Sequence, residues 1–107
     1  MRPTTISVTN VGSTTVIIAP DVNKSPFAIG LGVNVTGTVN YTVQHTFDDV
    51  WSTAFSIAGA TWYNHPTLSG QTANMDSNYA FPVCGIRVIN NSGTGTTALT
   101  AVQGGPT

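Results

Sequence analysis

Between residues 39 and 47 the chain alternates without a break. Val39, Tyr41, Val43, His45 and Phe47 fall on one side, and Asn40, Thr42, Gln44 and Thr46 on the other. A period of two over this length specifies a β-strand with one core face and one wet or interface face. A second run precedes it, with Ile29, Leu31, Val33 and Val35 on one face and Ala28, Gly30, Gly32 and Asn34 on the other. The small residues leave that second face open to close approach by another backbone. Thr36-Gly37 separates the two runs and predicts a tight hairpin between them.

Shorter strand signals surround this pair. Ile6 and Val8 alternate with polar neighbours, and Asn10-Val11-Gly12-Ser13 makes a turn. The run Val16-Ile17-Ile18-Ala19 reads as a strand stopped by Pro20, and 21–26 as a loop. Trp62-Tyr63 restarts a short strand that Pro66 closes, and 67–78 read as a polar loop. Two strands over 84–90 and 96–102 are joined by the turn Asn91-Ser92-Gly93-Thr94-Gly95. Residues 48–61 lose the alternation, so they form a short helical turn capped by Asp48 or an extended crossover. The expectation is an all-β chain of seven or eight short strands: an antiparallel two-sheet sandwich, jelly-roll-like, with residues 1–107 as one domain and loose ends at 1–5 and 103–107.

Composition agrees, because the helix formers Glu, Lys, Leu and Met are scarce while Val, Thr, Ile and aromatics are plentiful. It also narrows the function. Charged residues make up 7% of the chain, with no Glu, a single Lys24, and Arg2 and Arg87 as the other cations. Three cations cannot neutralise a run of phosphates, which weighs against nucleic acid and against a polybasic membrane contact. No stretch reads as a signal peptide or a membrane span. Cys84 is alone, so it has no disulfide partner in the chain and reads as a small buried hydrophobe. The sequons at Asn23, Asn34, Asn40 and Asn90 are expected by chance in a chain so rich in Asn and Thr.

His45, Asp48 and Asp49 are the best candidates for chemistry, since a His and two carboxylates can ligate a metal or share a proton. On a strand, however, side chains share a face only at even spacing, so His45 and Asp48 diverge unless the chain bends. The expected roles are structural: His45 partly buried, and the two Asp at a strand end for turn and cap reasons. The string Gly93-Thr94-Gly95-Thr96-Thr97-Ala98 matches a dinucleotide-binding pattern only in letters, because a strand follows it rather than a helix. No nucleophile elbow is present, and His65 has no carboxylate neighbour in sequence. The chain therefore reads as non-enzymatic, with no cofactor and no metal.

Trp51, Phe55, Trp62 and Tyr63 lie in the least regular third of the chain. They plug an open end of the sandwich, or they present an aromatic anchor at an interface or a platform for a sugar ring. Together with Arg2 and Pro3 at the amino end, they form the candidate interface set. A second consideration concerns sheet edges. Sandwiches ordinarily guard their edges with Lys, inward charge or Pro, and little charge is available here. Edges must then be short, covered, or paired with another chain.

Several segments carry a resemblance: 35–49, Trp62 to Pro66, Gln71-Thr72-Ala73-Asn74, 78–83, Gly93-Thr94-Gly95 and Thr97-Ala98-Leu99. Together they resemble small structural proteins of tailed bacteriophages, among them capsid decoration or cement proteins. The resemblance implies a dimer or trimer that binds the major capsid protein on the exterior of the virion, assembled in a reducing host cytoplasm. It implies a role and no set of residues. The alternative is a carbohydrate- or receptor-binding module of a phage tail or fibre. A hydrolase using His45 or His65 is a third and weaker expectation.

Overall fold

The computed structural model describes residues 3–14, 17–20 and 28–104. Eight strands follow in order: β1 Thr4–Thr9, β2 Gly12–Ser13, β3 Ala28–Thr36, β4 Val39–Thr46, β5 Tyr63–Gln71, β6 Met75–Tyr79, β7 Gly85–Gly93 and β8 Thr96–Gly104. They form two antiparallel four-stranded sheets, ordered β1-β8-β3-β6 and β2-β7-β4-β5. No helix occurs among the described residues. The order is that of a jelly roll, because β1/β2, β3/β4, β5/β6 and β7/β8 each step from one sheet to the other.

That stepping overturns the hairpin expected at Thr36-Gly37. β3 pairs with β8 and β6, and β4 pairs with β7 and β5, so the 36–38 connection is an arch between sheets. The turn at 91–95 is an arch of the same kind. The two arches clasp. Gly95 N–H donates to the Thr38 carbonyl at 3.0 Å, and a Cβ on Gly95 would sit 2.5 Å from the Thr36 carbonyl oxygen. Gly93 takes φ +98° and has no room for a Cβ against the Thr38 carbonyl, so both glycines are required by close backbone approach. Asn90, fully buried, ties the same end together. Its Nδ2 donates to the Asn10 and Val8 carbonyls at 2.9 and 3.2 Å, and its Oδ1 accepts from Thr97 Oγ1 at 2.6 Å.

The core lies between the sheets. Ile29, Leu31 and Val33 from β3, Tyr41 and Val43 from β4, Ile86 and Val88 from β7, and Leu99 and Ala101 from β8 all meet there. Both alternating runs thus bury the predicted faces, Val35 only in part, but Thr42 and Thr46 on the face of β4 expected to be wet are buried as well. β4 ends at Thr46, and Phe47 is about half exposed instead of continuing the core row.

Four further expectations change. β5 runs through Pro66 to Gln71, and β6 takes up Met75–Tyr79, so much of the expected 67–78 loop is strand. Proline is tolerated because β5 is an edge strand. The register of β5 against β4 breaks, with Asn64 opposite Gln44 but Ser69 opposite Thr42. In the run expected at 16–19, Ile18 makes only an isolated bridge to Ile86, and Gly12–Ser13 is the strand that pairs with β7. Position 16 and the 21–26 loop lie outside the described residues. The expected loose ends also begin as strand, since β1 starts at Thr4 and β8 reaches Gly104 with Gln103 buried.

Candidate binding face around His45

The end of the sandwich away from the clasped arches carries an aromatic cluster. His45 stands at the end of β4, Tyr63 opens β5, Tyr79 closes β6, and Phe47 and Phe81 follow β4 and β6. The backbone register sets His45 opposite Tyr63 across the sheet, and the sandwich brings β6 over them. The His45 ring touches four others: Tyr79 at 4.9 Å between centroids, Phe47 at 5.4 Å, Phe81 at 5.6 Å and Tyr63 at 5.9 Å. Tyr63 stacks on it and the other three meet it edge to face, both favoured geometries for aromatic pairs.

Within this cluster the polar atoms are matched. His45 Nδ1 and the Tyr79 hydroxyl are 2.8 Å apart, and both residues are buried. Burial, with a smaller contribution from His65, holds the His45 imidazole below its usual pKa, and burial pushes the Tyr79 phenol up. His65 has its own arrangement on the other side of Tyr79. Its Nδ1 accepts from the backbone N–H groups of Thr67 and Leu68 at 3.0 and 3.1 Å, where the register of β5 breaks. That places the ring proton on Nε2, which donates to the Asn78 carbonyl at 3.0 Å. Ser77 Oγ lies 3.3 Å from the same nitrogen. It faces an N–H rather than a lone pair, so His65 is not disposed to take its proton.

The outer surface of the cluster is apolar. Phe47, Tyr63 and Phe81 are each about half exposed, and Trp51 is 79% exposed. Phe47 and Tyr63 lie 5.6 Å apart, Phe47 and Phe81 6.3 Å. Phe47 and Trp51 also line a groove of about 270 Å³ with Pro20, Asp49 and Cys84. The Phe47, Tyr63 and Phe81 rings pack on His45, and Phe81 also on Tyr79, so their apolar area is presented without first having to be ordered.

The candidate residues separate on this background. Trp51 and Tyr63 belong to the exposed face. Trp62 does not: its Nε1 donates to the Ile57 carbonyl at 2.9 Å, and the Arg87 guanidinium lies 4.3 Å from its ring centroid. Arg87 Nε is in turn bonded to Gln44 Oε1 at 2.8 Å. Trp62 thus pins the 48–61 segment to the outer face of the β4/β7 sheet. Phe55 is half-buried and lines a hollow within that segment. Pro3 is exposed just before β1, and Arg2 lies outside the described residues. Phe47 and Phe81 also stand on this exposed face and are missing from the sequence candidates, Phe47 because the alternation assigns it to the core and Phe81 because it sits in an irregular stretch beside Pro82.

His45, Asp48 and Asp49 do not converge. Asp48 Oδ2 accepts from Thr61 N–H at 2.9 Å and Asp49 Oδ1 from Trp51 N–H at 3.0 Å, so both carboxylates hold the 48–61 segment in shape. That segment forms hydrogen-bonded turns rather than a helix or an extended crossover. No group of His, Cys, Asp or Glu among the described residues is placed to hold a metal ion. Cys84 is half-buried beside the groove. Comparison of the chain with family models, curated proteins and solved structures finds no match.

Proposed function

We propose that this chain is a non-enzymatic phage capsid decoration or cement protein, which self-associates and binds the major capsid protein on the exterior of the virion. The observation that carries the reading is the apolar face of Phe47, Tyr63 and Phe81 packed on His45, with the exposed Trp51 beside Phe47, on a chain with almost no charge. A preorganised aromatic surface of this kind suits docking on another protein, because aromatic residues are enriched at such contacts and Trp and Tyr are common among the few that dominate the binding energy. The phage assignment itself is supported by the resemblance of the segments between residues 35 and 99. Neither a cofactor nor a nucleic-acid partner belongs to this reading.

A second reading has its own support. Trp51 is the most exposed large hydrophobic side chain among the described residues, and it borders a groove that Asp49 also lines. An exposed indole beside an acceptor is suited to stacking on a sugar ring, as in a receptor-binding module of a tail or fibre.

Quantitative mass spectrometry of purified virions separates the readings. A molar ratio to the major capsid protein near one, or a simple fraction of one, supports the cement role. A few copies per particle favour the tail module. Absence from the particle overturns both.

A further inference from the structure

Among the described residues, strand order leaves four edges in this sandwich: β1 and β6 in one sheet, β2 and β5 in the other. Three are guarded in recognised ways. β2 is two residues long. β5 contains Pro66 and a broken register. β6 is five residues long and carries the exposed carboxylate of Asp76. β1 has none of these protections. Its six residues, Thr-Thr-Ile-Ser-Val-Thr, contain no charge, proline or glycine, and they pair with β8 in unbroken register from Thr4 to Thr9.

The side chains of β1 have a further property. Read about Ser7, the strand is palindromic in chemistry: Ile6 mirrors Val8, and Thr5 mirrors Thr9. An antiparallel pair of identical strands related by a twofold axis at Ser7 sets Ser7 opposite itself, Thr5 opposite Thr9 and Ile6 opposite Val8. This register keeps the apolar residues of both copies on the same side of the sheet. The existing β1/β8 ladder already shows the side-chain bonds such a pair would repeat. Thr5 Oγ1 lies 2.8 Å from Thr100 Oγ1, and Thr9 Oγ1 2.8 Å from Thr96 Oγ1. Each hydroxyl retains acceptor capacity for one more threonine.

We infer that β1 is a self-association edge, at which two copies of this chain join antiparallel about Ser7 into one continuous eight-stranded sheet. This is an isologous contact, in which a self-complementary strand serves both partners. It deepens the self-association in the proposed function and rests on that part of it. It does not require a capsid, and it uses a surface separate from the aromatic face.

The test is light scattering on the size-fractionated full chain across a concentration series, for the wild type, Ser7→Lys and Ser69→Lys. Ser7 and Ser69 are both exposed, and Ser69 lies on the guarded β5 edge. The expected result is a wild-type dimer. Two lysines facing each other across the axis should raise its dissociation constant by about fivefold or more, and Ser69→Lys should leave it unchanged. Circular dichroism confirms that each variant is folded. A second measurement fixes the register: in a Cys84→Ala background, Ser7→Cys should oxidise to a covalent dimer, whereas Thr5→Cys alone should not. An oligomer indifferent to Ser7→Lys overturns the edge assignment and leaves self-association standing. A monomer at every concentration overturns both.

Discussion

Tyr79 and His45 hold each other in place: a phenol from the end of β6 and an imidazole from the end of β4 share one hydrogen bond of 2.8 Å in a buried site. Tyr79→Phe removes the hydroxyl and leaves Nδ1 of His45 unpaired, which costs about 1–3 kcal/mol. Denaturant unfolding of the two proteins measures it, and a loss below the error of extrapolation contradicts the bond.

The same imidazole makes stability depend on pH. Folding lowers its pKa below the ordinary value near 6.5, chiefly by burial. Between the two values the unfolded chain binds more protons than the folded one, so stability rises with pH across that window. The contribution is complete above the unfolded value and is lost as pH falls from it toward the lowered folded value. Unfolding free energies at a series of pH values should show a steeper acid-side decline for the wild type than for His45→Gln. Parallel curves contradict the assignment.

Asn90 ties β1, the turn after it and β8 together through one side chain. Replacing it with Ala strands two backbone carbonyls and the Thr97 hydroxyl in a buried site, and about 2–4 kcal/mol should be lost. Gly95→Ala strikes the same end by forcing a methyl group against the Thr36 carbonyl. Gly32→Ala is its control, because nothing lies within 4 Å of the new atom. Thermal unfolding should rank Gly95→Ala well below Gly32→Ala, and equal midpoints would mean the arches do not clasp.

Trp51 and Trp62 should separate stability from binding. Trp51→Ala removes an exposed ring and should leave stability within about 0.5 kcal/mol while weakening capture by purified capsid shells. Trp62→Ala removes the ring under Arg87 and the bond to Ile57. It should lower the unfolding midpoint, since the 48–61 segment loses its anchor.

The sandwich was legible because β3 and β4 each set their apolar residues on one face at strict spacing, even though β4 also buries Thr42 and Thr46 on the other. Their partners were not, since alternation shows which face is buried and not which sheet the next strand joins. Thr36-Gly37 serves a hairpin or an arch equally well in local terms, and only the Gly95 backbone alongside decides for the arch. β5 was illegible for a different reason. Its buried residues His65 and Leu68 are three apart, because the strand bulges and the His65 ring supplies the acceptor for the Thr67 and Leu68 amides. A side chain standing in for a neighbouring strand leaves no period to read. At the candidate face, Trp51 and Tyr63 were legible as aromatics in an irregular region. Phe47 was hidden by the alternation that identified β4, one residue past the strand's end.

The position of β8 bears on how the molecule is made. It lies between β1 and β3, so the first sheet has a gap at its centre until the last strand in the order arrives. A ribosome releases that strand after all the others. β1 and β3 must then wait, unpaired with each other, for a partner synthesised some ninety residues after β1, and contacts this distant in sequence form slowly. The first sheet therefore closes late, and until it does the uncharged β1 strand is open on both sides.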